Sequence, residues 1–301
     1  MAMRIGLVLP IAEEDAPGGG APPSYAEIRD LALAAETAGL DSVWVYDHLL
    51  FRSDGETTGI HECWTILAAL AVATERVQLG SIVMCTSFRN PALLAKMAAT
   101  LDHVSGGRLI LGIGCGWHDP EYEAFGYPKD HKVGRFEEAL TVITGLIREG
   151  RADMDGRWVQ VRDAVLRPPA RPDIPILIAA KRPRMLELTV RHADAWNLAW
   201  FGLPDERYTT IRADLAAACA AVGRDEATLG ITVGVTVRYP DQMAPGKTPD
   251  SSPALDGDPD AVIAGLDAWR AIGADHLIVT LDPCTPATLA RFTAAVEQWR
   301  A

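Results

Sequence analysis

LGSIVMCTSFRNPALLAKMAATLDHVSGGRLILGIGCGWHDPEYEAFGYP, from Leu79 to Pro128, reads as an apolar run, a polar bend, an amphipathic helix, a second apolar run and a glycine-rich exit. That order is a β-α-β unit whose two strands lie parallel. Similar units lie on either side. Strands are expected at Arg4–Leu9, Ser42–Tyr46, Val77–Met84, Arg108–Ile113, Ile174–Ala179, Ala195–Ala199, Thr228–Arg238 and His276–Leu281. The first helix is expected from the N-cap Ser24 to about Ala38, with Gly39 as its stop. The others are expected at Glu62–Thr74, Pro91–Val104, Gly134–Glu149, Pro183–His192, Pro204–Val222, Pro259–Ile272 and Pro286–Trp299. Runs such as LILGI, IPILIA and DHLIVTL are apolar at nearly every position, as in parallel strands buried on both faces. The expected fold is therefore α/β, a single (β/α)8 TIM barrel over residues 1–301, with a doubly wound open sheet as the rival. Asp153–Val165, with DGRW between two β-prone runs, predicts a β-hairpin inserted before strand five. The Pro-, Gly- and Asp-rich Tyr239–Asp258 predicts a long loop after strand seven, mobile or a lid.

The chain has 301 residues, about half of them hydrophobic, and a formal net charge of -12. No Lys/Arg block is present, which speaks against a nucleic-acid partner. The five cysteines are widely spaced with no CxxC, which fits a reducing cytoplasm better than a disulfide framework or zinc site. MAMRIGLVLP reads as a first strand rather than a signal peptide, and no apolar run is long enough to span a membrane.

In a barrel, function gathers at the C-terminal ends of the strands. Strand two exits as WVYDHLLF, so Asp47 and His48 leave together; an imidazole there can donate or accept a proton. An ordinary reading has Asp47 capping the next turn and His48 packing. Strand three exits as GSIVMCTSFRNP, which by itself reads as a strand followed by a polar loop. Strand four exits as GIGCGWHDPEY. Alternating Gly112, Gly114 and Gly116 strip side chains from one face, against which a flat ring could lie. Trp117 follows Gly116 directly, so no GxGxxG is completed and a Rossmann site is excluded. Trp117 and His118 are candidates for a substrate pocket, with simple core as the other reading of Trp117. Strand five exits as ILIAAKRPRMLEL. Ala180, Lys181 and Arg182 precede a helix opened by Pro183, so free amides, helix dipole and two cations coincide in an anion site. A solvated basic helix start is the alternative. His61-Glu62-Cys63 and His118-Asp119-Pro120-Glu121 hold ligand-type residues but no second cluster at metal spacing, so no metal is expected.

Taken together, AETAGLDSVWVYDHLL (35–50), TERVQLGSIVMCTSFRNPALLAKMAATLDHVSGGRLILGIGCGW (74–117) and IPILIAAKRPRMLELTVRHADAWN (174–197) make the chain resemble the luciferase-like flavin monooxygenase superfamily, in particular its bacterial F420-dependent branch. The resemblance spans nearly the whole chain and implies a barrel binding F420, or alternatively FMN, at its C-terminal mouth. It matches His48 to the active-site histidine, with Asp47 expected to orient it. It matches Ile82–Val83 to a non-prolyl cis peptide behind the ring, and Cys115 and Gly116 to ring-side or phosphate-side positions. Ala180, Lys181 and Arg182 match the phosphate loop, where AAKRP stands in place of the glycine run of many relatives. Lys181, Arg182, Arg184 and Lys247 are the candidates for an oligoglutamate tail. The implied function is hydride transfer between F420 and a small organic substrate. The alternatives are an FMN-dependent monooxygenase that uses O2 and a separate flavin reductase, and a flavin-binding protein without catalysis. A homodimer through helices two and three is implied as well.

Overall fold

The computed structural model describes residues 2–15, 20–53, 55–245 and 251–301. Eight parallel strands form its centre: β1 Arg4–Val8, β2 Ser42–Val45, β3 Gln78–Ser81, β4 Leu109–Gly114, β5 Ile176–Ala179, β6 Ala195–Phe201, β7 Gly230–Arg238 and β8 His276–Asp282. Each pairs with its neighbours in sequence. β1 meets β8 at Arg4↔His276, and β4 meets β5 at Ile176↔Leu111, so the ring is shut. The barrel is closed and the open-sheet rival is excluded.

Eight helices cover the ring: α1 Tyr25–Thr37, α2 Cys63–Ala73, α3 Pro91–Val104, α4 Lys132–Thr144, α5 Pro183–His192, α6 Glu206–Val222, α7 Pro259–Ala271 and α8 Pro286–Arg300. Their starts follow from local chemistry. Ser24 and Glu27 form a capping box, the Asn90 carboxamide accepts from the N–H groups of Ala92 and Leu93, and proline opens α3, α5, α7 and α8. Among the described residues, no helix is long and apolar enough to cross a membrane.

The inside of the ring is filled by side chains. Trp44 lies across it with Val8, Ile110, Leu177 and Ile278. A Cβ on Gly6 would stand 2.5 Å from the Trp44 indole nitrogen, and one on Gly80 would stand 2.1 Å from its ring. The two glycines are the space that the indole occupies. The expected insertion is present as a hairpin of Arg151–Asp155 and Gln160–Val165. It is tied to α4 by Glu138, whose carboxylate accepts from the backbone N–H groups of Arg157, Trp158 and Val159.

Three local features depart from the expectations. LFRS (50–53) and ETTG (56–59) form a second antiparallel hairpin immediately after His48. Asp119–Phe125 is a short helix rather than loop. After β7, Leu255–Asp256 pairs with Val237–Arg238 and the backbone of Ala254 fills the place of a Gly202 Cβ. The C-terminal end of that loop is thus anchored to the sheet, and residues 246–250 of it lie outside the described residues.

One buried group makes the barrel sensitive to acid. Ser42 Oγ accepts from the Trp44 indole N–H at 2.7 Å and lies 2.7 Å from His276 Nε2. His276 is fully buried, and its Nδ1 has no hydrogen-bond partner. Burial, helped by the Arg4 charge, holds its pKa well below the ordinary 6.5. Between the two values the unfolded chain binds a proton that the folded chain refuses. The contribution of this group to stability is therefore complete above pH 6.5 and is lost as the pH falls below it. Urea unfolding from pH 7 to pH 5 should show wild type losing up to about 1.4 kcal/mol per pH unit more than His276→Asn. Parallel pH curves for the two proteins would contradict this account.

Candidate active site

The mouth is built where β2 to β5 end side by side. Beyond β2, Tyr46 turns its hydroxyl to Asp15, to which it donates. The next residue, Asp47, is 3% exposed and does not meet His48. Its carboxylate accepts from Arg89 Nη1 and Nη2 at 2.6 and 2.9 Å and from the Cys85 N–H at 2.8 Å. Burial raises the Asp47 pKa, and the guanidinium and the amide pull the other way. Arg89 also donates to Glu62, the N-cap of α2, at 2.6 Å. Asp47 is thus a tie between strand exits, and its expected role of orienting His48 is corrected.

The carboxylate on the imidazole is Glu121. Its oxygens lie 3.0 and 3.2 Å from His48 Nδ1, and Oε2 accepts from the Leu49 N–H at 2.9 Å. Glu121 is 1% exposed, so this contact is shielded from water. A carboxylate acceptor places the imidazole proton on Nδ1, and Nε2 makes no hydrogen bond with any described residue. The short helix that supplies Glu121 begins Asp-Pro and stops at Gly126, which is left-handed at φ 77°. Those signals stand in HDPEYEAFG. In the sequence Glu121 stands only among ligand-type residues, because nothing local shows that it meets a residue 73 positions earlier.

Rings surround His48. Phe51, from the hairpin after β2, is 4.5 Å away between centroids; Trp117 and His118 are at 5.5 and 6.3 Å. His118 Nε2 accepts from the Arg52 N–H at 3.1 Å and so ties the hairpin to the strand-four exit. Trp117 is 68% exposed, which disposes of its reading as core.

Beyond β3, the Ile82–Val83 peptide is cis, and Met84–Cys85 then pairs with Ile113–Gly114 of β4. The glycines of GIGCG serve this bulge. A Cβ on Gly112 would stand 1.9 Å from the Ser81 carbonyl oxygen, and one on Gly114 would stand 2.7 Å from a Val83 methyl. Gly116, left-handed at φ 75°, is similarly backed by the Tyr122 hydroxyl and the Cys85 sulfur. The expected bare glycine face is thus already covered. The apolar wall consists instead of Ile82 and Val83, half-buried beside Trp44, Tyr46 and Trp200. Cys115 is half-buried, and burial pushes its thiol pKa up.

Beyond β5, Ala180 is buried and its carbonyl accepts from the Trp196 indole at 2.8 Å. The side chains of Lys181 and Arg182 are exposed and make no hydrogen bond or ion pair with any described residue. They stand at the start of α5, whose N-cap makes no side-chain hydrogen bond. Arg184 is taken by Glu137 at 2.5 Å. Lys247 lies outside the described residues.

A family model described as luciferase-like monooxygenase matches residues 3–245, most of the chain. The chain belongs to this family. Among luciferase-like relatives, pyrimidine monooxygenase RutA of Methylorubrum extorquens is 33% identical over 207 residues, 64% of this chain and 56% of that protein. An F420-dependent glucose-6-phosphate dehydrogenase of Amycolatopsis mediterranei is 33% identical over 177 residues, 56% of this chain and 52% of that one. The chain therefore spans about half the length of these two relatives. A solved F420-dependent secondary alcohol dehydrogenase, in complex with an F420-acetone adduct, superposes with a TM-score of 0.80 over the whole of both chains at 18% identity, which is a likeness of fold.

If Asp47 is a tie rather than a partner of His48, its loss should be felt in folding. Asp47→Ala leaves Arg89 half-paired in a buried place and is expected to cost about 3–5 kcal/mol in urea unfolding. A loss below about 1 kcal/mol would show that the tie carries little.

Proposed function

We propose that this chain is a flavin-type oxidoreductase acting on a small organic substrate, with F420 as the preferred coenzyme. The observation that carries this reading is the His48–Glu121 contact beside an apolar wall and an unpaired cationic turn, all on one rim. The residues fit such a coenzyme. Lys181, Arg182 and the first amides of α5 suit a phosphate, while Ile82 and Val83 suit one face of a flat ring. When bound, F420 accepts or gives a hydride at a ring carbon, whereas FMN can also serve oxygen chemistry.

The chain's own residues divide the remaining work. Glu121 holds the His48 proton on Nδ1, so Nε2 presents a lone pair at the mouth. His48 can then take a proton from a substrate hydroxyl, or return one in the reverse direction. Glu121 stabilises the imidazolium that results and keeps the ring in position. Phe51 and His118, packed beside the imidazole, limit the access of water to that proton. The likeness to the pyrimidine monooxygenase favours a second reading, in which FMN arrives reduced by a separate flavin reductase and O2 is consumed. A buried carboxylate committed to His48 speaks for catalysis over mere flavin binding. A homodimer is proposed through α2 and α3, which present Val72, Leu93 and Val104 to solvent at 75%, 54% and 48% exposure.

Parallel titration with F420 and FMN, followed by fluorescence, tests the proposal. F420 should bind more tightly, and Lys181→Ala with Arg182→Ala should weaken it roughly tenfold or more, with less salt dependence than wild type. Binding of neither coenzyme would end this reading, and O2 uptake with reduced FMN would move it to the monooxygenase. His48→Ala should reduce turnover by about 10²–10⁴-fold while coenzyme affinity holds; unchanged turnover would remove His48 from the chemistry.

A further inference from the structure

The polar groups around His48 are almost all committed within the protein. The Tyr46 hydroxyl is held by Asp15, Glu121 is closed beneath the imidazole, and Asp47 faces Arg89. His118 Nε2 is bonded to the hairpin backbone. Phe51 and Arg52 alternate along a strand, so the guanidinium lies on the opposite face from the ring and bonds Thr57. Asp119 is paired with Lys132, which also sits over the Tyr122 ring. Against this background Trp117 is open. Its ring stands edge-on to His48 and 5.1 Å from His118, it is 68% exposed, and its indole N–H has no partner among the described residues.

We propose that Trp117 is the specificity-determining platform of the mouth and that the substrate is a flat, uncharged ring, aromatic or heteroaromatic, stacked on the indole within reach of His48. This rests on the oxidoreductase reading above and adds the substrate class to it. A flat ring gains contact with an exposed indole that a puckered ring does not. Among the described residues, a carboxylate or phosphate on the substrate would find no unengaged cation beside Trp117: Arg52 bonds Thr57, Lys132 is paired with Asp119, and Lys181 and Arg182 stand at the start of α5. An anion would lose its hydration here without replacement. The unpaired indole N–H suits a ring carrying a carbonyl or hydroxyl oxygen.

Calorimetric titration of the full chain, alone and with FMN added, tests this with three probes: 2-naphthol, 2-naphthoate and the puckered decahydro-2-naphthol. The neutral flat ring should bind at least roughly tenfold more tightly than either of the others. Trp117→Ala should remove most of that preference, and Trp117→Phe should keep it. Equal binding of all three probes, tighter binding of the carboxylate, or an unchanged preference in Trp117→Ala would overturn the proposal. Coenzyme titration of the same variants separates the two levels. A wild type that binds naphthol through Trp117 but neither F420 nor FMN would refute the flavin reading and leave the ring platform intact. Normal coenzyme binding without naphthol preference would do the reverse.

Discussion

Closure of the ring at the β4–β5 seam is the constraint on which the rest depends. A parallel strand with an open edge leaves amide and carbonyl groups unpaired, and the pairing of Ile176 with Leu111 and Ile178 with Ile113 removes that edge. With every strand running the same way, all the C-terminal ends lie on one rim. The seam is tight. Gly112 faces Leu177 across it, and the Ser81 carbonyl fills the space where a side chain would begin. Glycine here is a requirement of strand approach, which is why the glycine-rich exit of β4 coincides with the bulge of β3.

Two buried carboxylates divide the tasks at this rim. Removing a carboxylate from water is costly unless charge or hydrogen bonds replace the hydration. Asp47 receives a bidentate guanidinium and an amide, and with them joins the β2 exit, the β3 bulge and the start of α2. Glu121 receives an imidazole and an amide, which leaves it able to respond to the protonation of His48. A fixed guanidinium suits structure because its charge does not change near neutral pH; an imidazole suits proton transfer because its charge does.

Most of the scaffold was legible in local pattern. The helix starts at Ser24, Pro91, Pro183, Pro259 and Pro286 follow from capping chemistry within one turn, and the buried strands from unbroken apolar runs. The hairpin of LFRS and ETTG was missed because its strands are short, polar and not part of the apolar rhythm, although Asp54-Gly55 between them is a turn dipeptide. His48, Lys181 and Arg182 could be picked as candidates because a strand-end position is itself a local property. The partner of His48 could not.

By itself the sequence determined the alternation of strand and helix, the number of repeats and the chemical types at each strand exit, since these depend on neighbours a few positions apart. Only the tertiary structure decided which carboxylate meets the imidazole, Glu121 at a separation of 73 residues rather than the adjacent Asp47, and that Val83 rather than bare glycine forms the wall. Both are distances across a closed ring. They are set by register, by the bulge and by packing, which a periodic pattern along one chain does not encode.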